Sequence, residues 1–440
     1  MKKHTFKGGI HPLNWQHEGK SKTAGKAIRE FISDSVRIPV DMHLGAPSTP
    51  VVKKGDHVKV GQVIAEAVGP RGVPVHASVS GEVTAVEIIQ QLKKTASTCI
   101  TIQNDFNDEW VEVKGLGNVE TAPKDQIIPA IQAAGIVGMG GAAFPTHAKL
   151  MLPPGKSVDT ILLNGAECET FLTSDHRLML ETPIRVVDGL RAVMRAMGVK
   201  RGIIGIEDNK MDAVAAIEAA ATGREGVEVA VLKMKYPQGG EKQLIKAVLG
   251  REVPSGGLPM DANVVVLNVG TAAAIADAVV DGKPLISRVT TVTGRVKEPS
   301  NLLLRVGTMF ADAITGCGGV TEEPGMIFAG GSMTGIAAPD ESVSMVKATN
   351  GIVVLNEEEA KSHKEEPCIR CSRCVFACPV GLMPYQMNAS FEKGDFTAME
   401  REHVMDCILC GACSYVCPAR RWLVATFQIG KEEIARRDKV

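Results

Sequence analysis

Eight of the eleven cysteines in this 440-residue chain fall within the segment from Cys368 to Cys417. They form two runs of one pattern, C-x₂-C-x₂-C-x₃-C-P, with Cys368, Cys371, Cys374 and Cys378 in the first run and Cys407, Cys410, Cys413 and Cys417 in the second. A secreted disulfide framework spreads its cysteines through a short chain. This clustering instead indicates thiolate ligands for a metal centre, in a chain that works in a reducing compartment.

Each run matches the [4Fe–4S] ligand pattern of bacterial ferredoxins, in which the fourth cysteine ligates the other cluster. That resemblance implies one cluster on Cys368, Cys371, Cys374 and Cys417, and a second on Cys407, Cys410, Cys413 and Cys378. A pair of zinc sites is the alternative, although zinc commonly uses two separated cysteine pairs. A helical pattern over residues 385–405, with a turn at Gly394-Asp395, favours a helical ferredoxin fold. Two such clusters carry single electrons and need another group to supply them.

Charge and hydropathy restrict the class of protein further. The chain has 49 basic and 50 acidic residues, which argues against a nucleic-acid-binding protein. Its first residues, 1–6, contain no apolar core of signal-peptide length. The longest apolar stretch, 264–280, is interrupted by Asn268 and Asp277 and is shorter than the ~20 residues of a spanning helix. We therefore expect a soluble chain without a transmembrane segment, able to dock on a membrane complex.

The remaining sequence divides into three patterned regions. Short alternating strands and glycine turns over 40–90 resemble the barrel-sandwich domain of biotinyl and lipoyl carriers; the hairpin with the modifiable lysine is not found, which favours a structural or docking module. Residues 120–285 alternate helices with β-branched strands and predict an α/β domain with a mostly parallel sheet. Strand, strand, helix and strand over 286–345 suggest a small β-grasp domain. A charged run, 357–366, is predicted to be a solvated helix or linker.

A glycine-rich loop, from Gly138 to Lys149, is the candidate ligand-binding segment. It formally matches G-x-G-x-x-A, but that fingerprint requires a preceding strand, and residues 125–134 are predicted to be helical. A standard dinucleotide loop is therefore disfavoured. The glycines still allow a backbone to approach a ligand closely, and Lys149 can neutralise a phosphate.

The loop resembles the flavin loop, G-x-G-G-A-G-F-P-T-x-x-K, of the NADH-binding flavoprotein subunit of respiratory complex I. Three more blocks are similar to that family: residues 164–169 to N-A-D-E-S-E-P, 236–241 to Y-x-x-G-E-E, and 268–271 to N-V-E-T. The order of the parts, beginning with Gly-Gly-Ile-His-Pro at 8–12, resembles the C subunits of Rnf electron-transport complexes. This resemblance covers nearly the whole chain.

The resemblance implies a multidomain α/β fold. Its parts are an N-terminal arm (1–30), a barrel-sandwich (lipoyl-like) domain (31–115), a Rossmann-like FMN/NADH-binding α/β domain (116–285), a β-grasp (SLBB-like) domain (286–350) and an α-helical ferredoxin-type domain with two [4Fe–4S] clusters (351–440). It also implies a peripheral subunit on the cytoplasmic side of the membrane. That subunit relays electrons between NAD(H), FMN and the two clusters in an ion-pumping complex. The implied partners are the membrane subunits and the ferredoxin-like subunit of the complex, with ferredoxin indirectly.

Residue roles follow from the same resemblance. The residues expected to hold the phosphate and backbone of the flavin are Gly138, Gly140, Gly141 and Lys149. Those expected to contact the rest of FMN are Asn164, Asn268 and Thr271. Those expected to contact NAD(H) are Phe144, Glu167, Glu169 and Glu241. The sequence departs from the complex I pattern at Gly240 and Gly270, where that family has glutamates, and at Thr170 and Ala143. For Phe144 the alternative is a core aromatic, and for Glu167 and Glu169 it is a helix N-terminal cap.

Two other functions stay open at the level of sequence. One is a reductase outside a pump, such as the cobalamin reductase of bacterial microcompartments, whose glycine loop lies near the N-terminus. The other is an electron-transfer adaptor with clusters and no flavin. The stretch 420–429 suits either a docking helix or a packing helix, and the direction of electron flow is not fixed. Three cysteines, Cys99, Cys168 and Cys317, are not assigned to a cluster.

Overall fold

A computed structural model describes residues 3–12, 19–92 and 96–437. Parts of the predicted segments lie outside the described residues: 1, 2 and 13–18 of the arm, 93–95 of the barrel-sandwich segment, and 438–440 at the C-terminus. Within the described ranges, no helix combines the length and the apolar character needed to cross a membrane.

Two small antiparallel sheets form the barrel-sandwich region. After a 3₁₀ turn (Lys20–Lys22), the strands are β1 (Ile28–Phe31), β2 (Ser35–Pro39), β3 (Thr49–Pro50), β4 (His57–Val58), β5 (Val63–Glu66), β6 (Val75–His76), β7 (Gly81–Ile89) and β8 (Ser97–Asn104). One sheet has the order β2-β8-β7-β4 and the other β3-β5-β6. Strand β1 belongs to neither sheet, because it joins the β-grasp sheet described below.

A four-stranded parallel sheet with helices around it follows, as predicted for 120–285. Its elements are α1 (Lys124–Ala133), α2 (Thr146–Leu150), β9 (Thr160–Gly165), α3 (Ser174–Glu181), α4 (Pro183–Met197), β10 (Arg201–Glu207), α5 (Met211–Ala221), β11 (Val227–Leu232), α6 (Glu241–Leu249), β12 (Val264–Asn268) and α7 (Val269–Ala276). A 3₁₀ turn (Pro259–Ala262) precedes β12, and a π-helical turn (Asp277–Asp281) follows α7. The strand order is β11-β10-β9-β12, with every pair parallel. The near-continuous apolar runs of these strands suit a sheet covered on both faces.

A six-stranded mixed sheet forms the β-grasp region. Besides β1, its strands are β13 (Ser287–Gly294), β14 (Ser300–Arg305), β15 (Pro324–Ala329), β16 (Ile336–Ala337) and β17 (Gly351–Asn356). Helix α8 (Phe310–Thr315) lies between β14 and β15 in the chain, and α9 (Glu357–Ala360) follows β17. The strand order is β1-β14-β13-β17-β15-β16. The sheet therefore takes β1 from the predicted arm and β17 from beyond the predicted boundary at residue 350. This difference arises because the boundary rested on local composition, whereas β17 is held by pairing with β13 and β15.

Short helices build the C-terminal region, as the helical ferredoxin prediction requires. They are α10 (Arg373–Ala377), α11 (Pro384–Glu392), α12 (Phe396–Arg401), a 3₁₀ turn (Val404–Asp406), α13 (Ala412–Tyr415) and α14 (Leu423–Arg437). Helix α14 buries Leu423, Phe427 and Ile434 in the core of this region. The C-terminal stretch is therefore a packing helix of its own domain.

The barrel-sandwich and β-grasp regions share one hydrophobic core. Ile38 and Ile100 of the first region lie in the same buried cluster as Leu302 and Ile352 of the second. At their junction with the α/β domain, the buried Lys347 donates from Nζ to the carbonyl oxygen of Gly135 at 2.6 Å and to that of Pro74 at 3.2 Å. Burial lowers the pKa of Lys347 to about 7. The three regions are thus one packed body around the glycine loop.

Candidate functional site

Two asparagines lie side by side at the carboxyl edge of the parallel sheet. Asn164 lies near the end of β9, Asn268 is the last residue of β12, and the two are register partners. The chain order of the sheet reverses between β9 and β12, and ligands of such sheets bind at this switch point. The structure therefore brings together two residues for which the sequence predicts contacts with FMN.

Both asparagine side chains are fixed by hydrogen bonds. Asn268 caps α7, because its Oδ1 accepts from the N–H of Gly270 at 2.8 Å, and its Nδ2 donates to Asp175 Oδ2 at 2.6 Å. Asn164 Nδ2 donates to the carbonyl oxygen of Gly239 at 2.8 Å. Burial raises the pKa of Asp175. Asp175 was missed from the sequence, since nothing local links it to a residue 93 positions further along the chain.

The glycine loop lies against this edge and presents its backbone outward. Gly138 N–H donates to the carbonyl oxygen of Phe144 at 2.8 Å, and Met139 N–H donates to Thr271 Oγ1 at 2.9 Å. A Cβ on Gly140 would lie 3.2 Å from Cβ of Asn268, and Gly141 has a φ of +141°. Side chains at these two positions would crowd the asparagine or strain the turn. The result is an exposed backbone cradle that fits a flavin mononucleotide at the switch point.

The predicted phosphate lysine and one predicted nucleotide glutamate are ion-paired. Lys149 of α2 donates from Nζ to Oε1 of Glu241, the first residue of α6, at 2.7 Å. Both side chains are partly exposed, at 28% and 38%. Exposed pairs of this kind contribute only about 0–1 kcal/mol. A bound phosphate or ribose can therefore separate the two side chains at little cost.

Glu167 adopts the arrangement of the helix-cap alternative. Its carboxylate accepts from the N–H of Asp175 at 2.7 Å and from that of His176 at 3.3 Å, at the start of α3. Lys20 Nζ donates to the Glu167 carbonyl oxygen at 2.6 Å. Burial raises the pKa of the Glu167 carboxyl to about 7. The side chain is thus occupied within the protein.

Glu169 faces the β-grasp region. Its carboxylate accepts from Met333 N–H at 2.9 Å and from Thr334 Oγ1 at 2.7 Å. It also lines a cavity of about 460 Å³ beside the glycine loop, whereas half-buried Phe144 is not among the residues that line this cavity. Of the four residues predicted to contact NAD(H), Glu169 alone lines this cavity.

The eight motif cysteines surround two cavities in the crossed arrangement. One cavity is lined by Cys378, Cys407, Cys410 and Cys413. The other is lined by Cys368, Cys371, Cys374 and Cys417. We call these the proximal and distal cysteine sites. Burial, together with the nearby Cys407 and Cys378, raises the pKa of Cys410 to about 11, so four thiolates here call for a cationic group among them.

The cysteine geometry also bears on the zinc alternative. Among the residues that the structure describes, no three His, Cys, Asp or Glu side chains converge as ligands of a single metal ion. The four thiols of each site line one cavity together, which suits a cubane cluster whose irons each take one cysteine.

Tyr236 connects the α/β domain to the proximal cysteine site. Its hydroxyl donates to the carbonyl oxygen of Cys410 at 2.6 Å, and its side chain is 3% exposed. The N-terminal arm reinforces this contact: Ile10 pairs with Tyr236 through both backbone groups, and Gly9 N–H donates to the carbonyl oxygen of Ala377 at 2.9 Å. Cys168 and Met333 pack against the same apolar cluster. In the sequence, Tyr236 belongs to a family motif, but no role for it could be assigned from that motif.

Fold and sites together define an electron-transfer protein with a flavin site and two iron–sulfur sites. Models of four protein families match along the chain: the RnfC barrel-sandwich hybrid domain over 4–107, the Nuo51 FMN-binding domain over 131–277, the SLBB domain over 289–337 and the 4Fe-4S dicluster domain over 367–420. These matches confirm the predicted fold class and cofactors. The chain belongs to the RnfC family, the C subunits of Rnf complexes, because full-length members of that family are 45% identical to it.

Curated relatives match over most of their length. The C subunit of the Na⁺-translocating ferredoxin:NAD⁺ oxidoreductase complex of Acetobacterium woodii is 45% identical over 99% of this chain and 98% of its own. The C subunit of the proton-translocating complex of Clostridium ljungdahlii is also 45% identical, over 91% of this chain and 87% of its own. A solved NAD⁺-reducing [NiFe]-hydrogenase chain is similar at 20% identity and a TM-score of 0.48, over 67% of this chain and 61% of that one. The family and the FMN-binding domain decide against the cobalamin reductase and the cluster-only adaptor.

Proposed function

We propose that this chain is the NAD(H)-oxidoreducing subunit of a membrane-bound, ion-translocating Rnf complex. In it, the chain relays electrons between NAD(H), FMN and two [4Fe–4S] clusters, as part of ferredoxin:NAD⁺ electron transfer coupled to ion translocation. One observation carries the proposal: the six residues 236–241 touch both redox sites. At one end Tyr236 bonds to the peptide of Cys410, and at the other Glu241 pairs with Lys149.

The flavin is held at the switch point of the parallel sheet. The exposed backbone of Gly138, Gly140 and Gly141 lies along it, Lys149 neutralises its phosphate, and three polar side chains contact the rest, namely Asn164, Asn268 and Thr271. Bound FMN exchanges a hydride with NAD(H) and single electrons with an iron–sulfur cluster. The hydrogen bonds to Asp175 and Gly239 keep the two asparagines in place for this purpose.

The nicotinamide nucleotide approaches from the outer side of the glycine loop. Glu241 is freed to bind it when Lys149 turns to the flavin phosphate. Glu169 offers carboxylate oxygens to hydroxyl groups of the nucleotide, and Phe144 packs against it. Glu167 supports the site from below by holding the first turn of α3, so that Asp175 stays in reach of Asn268.

The proximal site receives or gives electrons at the flavin, and the distal site exchanges them with another subunit. Tyr236 contacts the loop of the proximal ligands, whereas Cys368 and Cys371 of the distal site are exposed. We infer that the membrane subunits and the ferredoxin-like subunit of the complex are the partners, with ferredoxin acting through them. Binding to those subunits holds the chain at the cytoplasmic face of the membrane.

Anaerobic titration of the purified chain with NADH tests the relay. We expect flavin and cluster absorbance to bleach together, in proportion to the NADH added. The proposal fails if a chain loaded with FMN and both clusters shows no bleaching of either. Co-purification of the tagged chain from native membranes tests the partner assignment separately, because it does not depend on electron transfer.

Changing Tyr236 to Phe is expected to slow electron transfer between flavin and cluster while leaving cofactor content intact. The aromatic ring still fills the interface, but the buried carbonyl oxygen of Cys410 loses its donor, which costs about 1–3 kcal/mol. Rapid-mixing absorbance with NADH measures the rate of cluster bleaching. The control is Tyr415→Phe, which removes a hydroxyl from an exposed tyrosine of the same domain as Cys410. Equal rates in the two variants contradict the role of the Tyr236 bond.

A further inference from the structure

A wall of the cavity beside the glycine loop comes from the barrel-sandwich region. The cavity, of about 460 Å³, is lined by three regions of the chain: the glycine loop at Gly140–Ala143, the β-grasp segments 329–336 and 346–350, and the barrel-sandwich segment 39–44. Nothing in the motif pattern assigns a ligand-binding role to segment 39–44. We call this segment the barrel wall.

The barrel wall is fixed in position relative to the glycine loop. Leu44 N–H donates to the carbonyl oxygen of Ala143 at 3.1 Å, which joins the wall directly to the loop. Further back, Val40 N–H donates to the carbonyl oxygen of Thr98 at 3.0 Å, and Ser48 N–H donates to that of Val40 at 3.0 Å. The wall therefore keeps its place beside the loop when a ligand enters.

One side chain of the wall is apolar and open to the cavity. Leu44 is 59% exposed, whereas Met42, two residues earlier, is 4% exposed and belongs to the core. Gly140 and Gly141 beside it are exposed as well. An exposed leucine gains stability only when another apolar surface covers it, at roughly 25 cal/mol per Å² of apolar area buried.

We propose that Leu44 forms the surface on which the adenosine half of NAD(H) packs. This inference rests on the proposed function, which puts the nicotinamide half at the flavin. A dinucleotide whose nicotinamide reaches the switch point must extend its adenosine half away from that point. The cavity beside the glycine loop offers the space for this half. The purine ring is the flat, weakly polar group of the ligand and matches an aliphatic surface. Glu169, which lines the same cavity, offers oxygens to the ribose hydroxyls between the two ends.

Steady-state oxidation of two reductants by the full chain, loaded with its cofactors and supplied with ferricyanide as the electron acceptor, tests the inference. For Leu44→Ser we expect the KM for NADH to rise about tenfold, the equivalent of about 1.4 kcal/mol, with kcat and flavin content unchanged. Reduced nicotinamide mononucleotide lacks the adenosine half. Its KM is therefore expected to be equal in Leu44→Ser and in the unchanged chain.

The matched control is Ile88→Ser, which removes a 75% exposed aliphatic side chain of the same region outside the cavity. It is expected to alter neither KM. An unchanged KM for NADH in Leu44→Ser overturns the inference, and so does an equal rise for both reductants. Loss of flavin from Leu44→Ser also overturns it, because the cavity would then hold the flavin. Failure of the unchanged chain to oxidise either reductant instead refutes the proposed function, and this inference with it.

Discussion

Replacement of Cys378 by serine is expected to remove the cluster of the second cysteine run, although Cys378 belongs to the first. Its thiol lines the proximal site with Cys407, Cys410 and Cys413. Loss of one thiolate of four should cost more than the about 10–100-fold loss of metal affinity that follows removal of an outer-shell partner. The iron content is expected to fall from about eight to about four atoms per chain. Electrons from NADH should then reach the flavin and stop there.

Cys417→Ser is the corresponding variant for the other cysteine site. It removes a ligand of the distal site, so it should also leave about four iron atoms per chain. In this variant, however, NADH should still reduce the remaining cluster rapidly, because the proximal site is intact. Iron analysis with low-temperature EPR after mixing with NADH measures both quantities. The crossed assignment is wrong if Cys378→Ser keeps the cluster that NADH reduces rapidly and Cys417→Ser loses it.

Substitution of Lys149 by alanine is expected to weaken FMN binding by about 10–150-fold. A hydrogen bond to a charged group contributes about 1.5–3 kcal/mol, and each 1.4 kcal/mol is a factor of ten in affinity. Free flavin released during gel filtration, measured by fluorescence, reports the change. Lys156→Ala is the matched control, since Lys156 is a lysine of the same domain that pairs with Asp261 away from the asparagines. Both variants should retain the clusters.

Glu241→Gln distinguishes two roles for Lys149. If the lysine binds the phosphate, the glutamine variant keeps its flavin and raises only the KM for NADH. If the lysine acts only by holding Glu241, the two variants lose flavin to the same extent. That second outcome would remove Lys149 from the flavin site while leaving the asparagine pair untouched.

The sequence predicted best those features that depend on neighbours in the chain. The cysteine spacing predicted the two groups of four that line the two cavities, because three of four cysteines of each group come from one tight segment. Helix α4 is limited by local residues in the same way: it begins at Pro183, which suits a first helical position, and ends before Gly198, which takes the left-handed conformation. Asn164 and Asn268 were predicted from two separate motifs. The parallel pairing of β9 and β12 explains why the two residues lie side by side.

Features that depend on distant pairing were missed. Strand β17 lies beyond the predicted end of the β-grasp region, but it belongs to that region because it pairs with β13 and β15. The bond of Tyr236 to Cys410 joins residues 174 positions apart and has no local signal. Glu167 has the composition of a ligand-binding residue, yet its carboxylate binds two amides of α3. In each case the deciding contact is made by a backbone group whose position only the tertiary fold sets.

The N-terminal arm has a consequence for the order in which the protein is assembled. Gly9 bonds to residue 377 and Ile10 pairs with residue 236, so both contacts of the arm close long loops of the chain. Contacts so distant in sequence form late in folding, because the closing loop is long. The arm therefore holds together the α/β domain and the cysteine region through contacts that form only after both of these partners have taken up their positions.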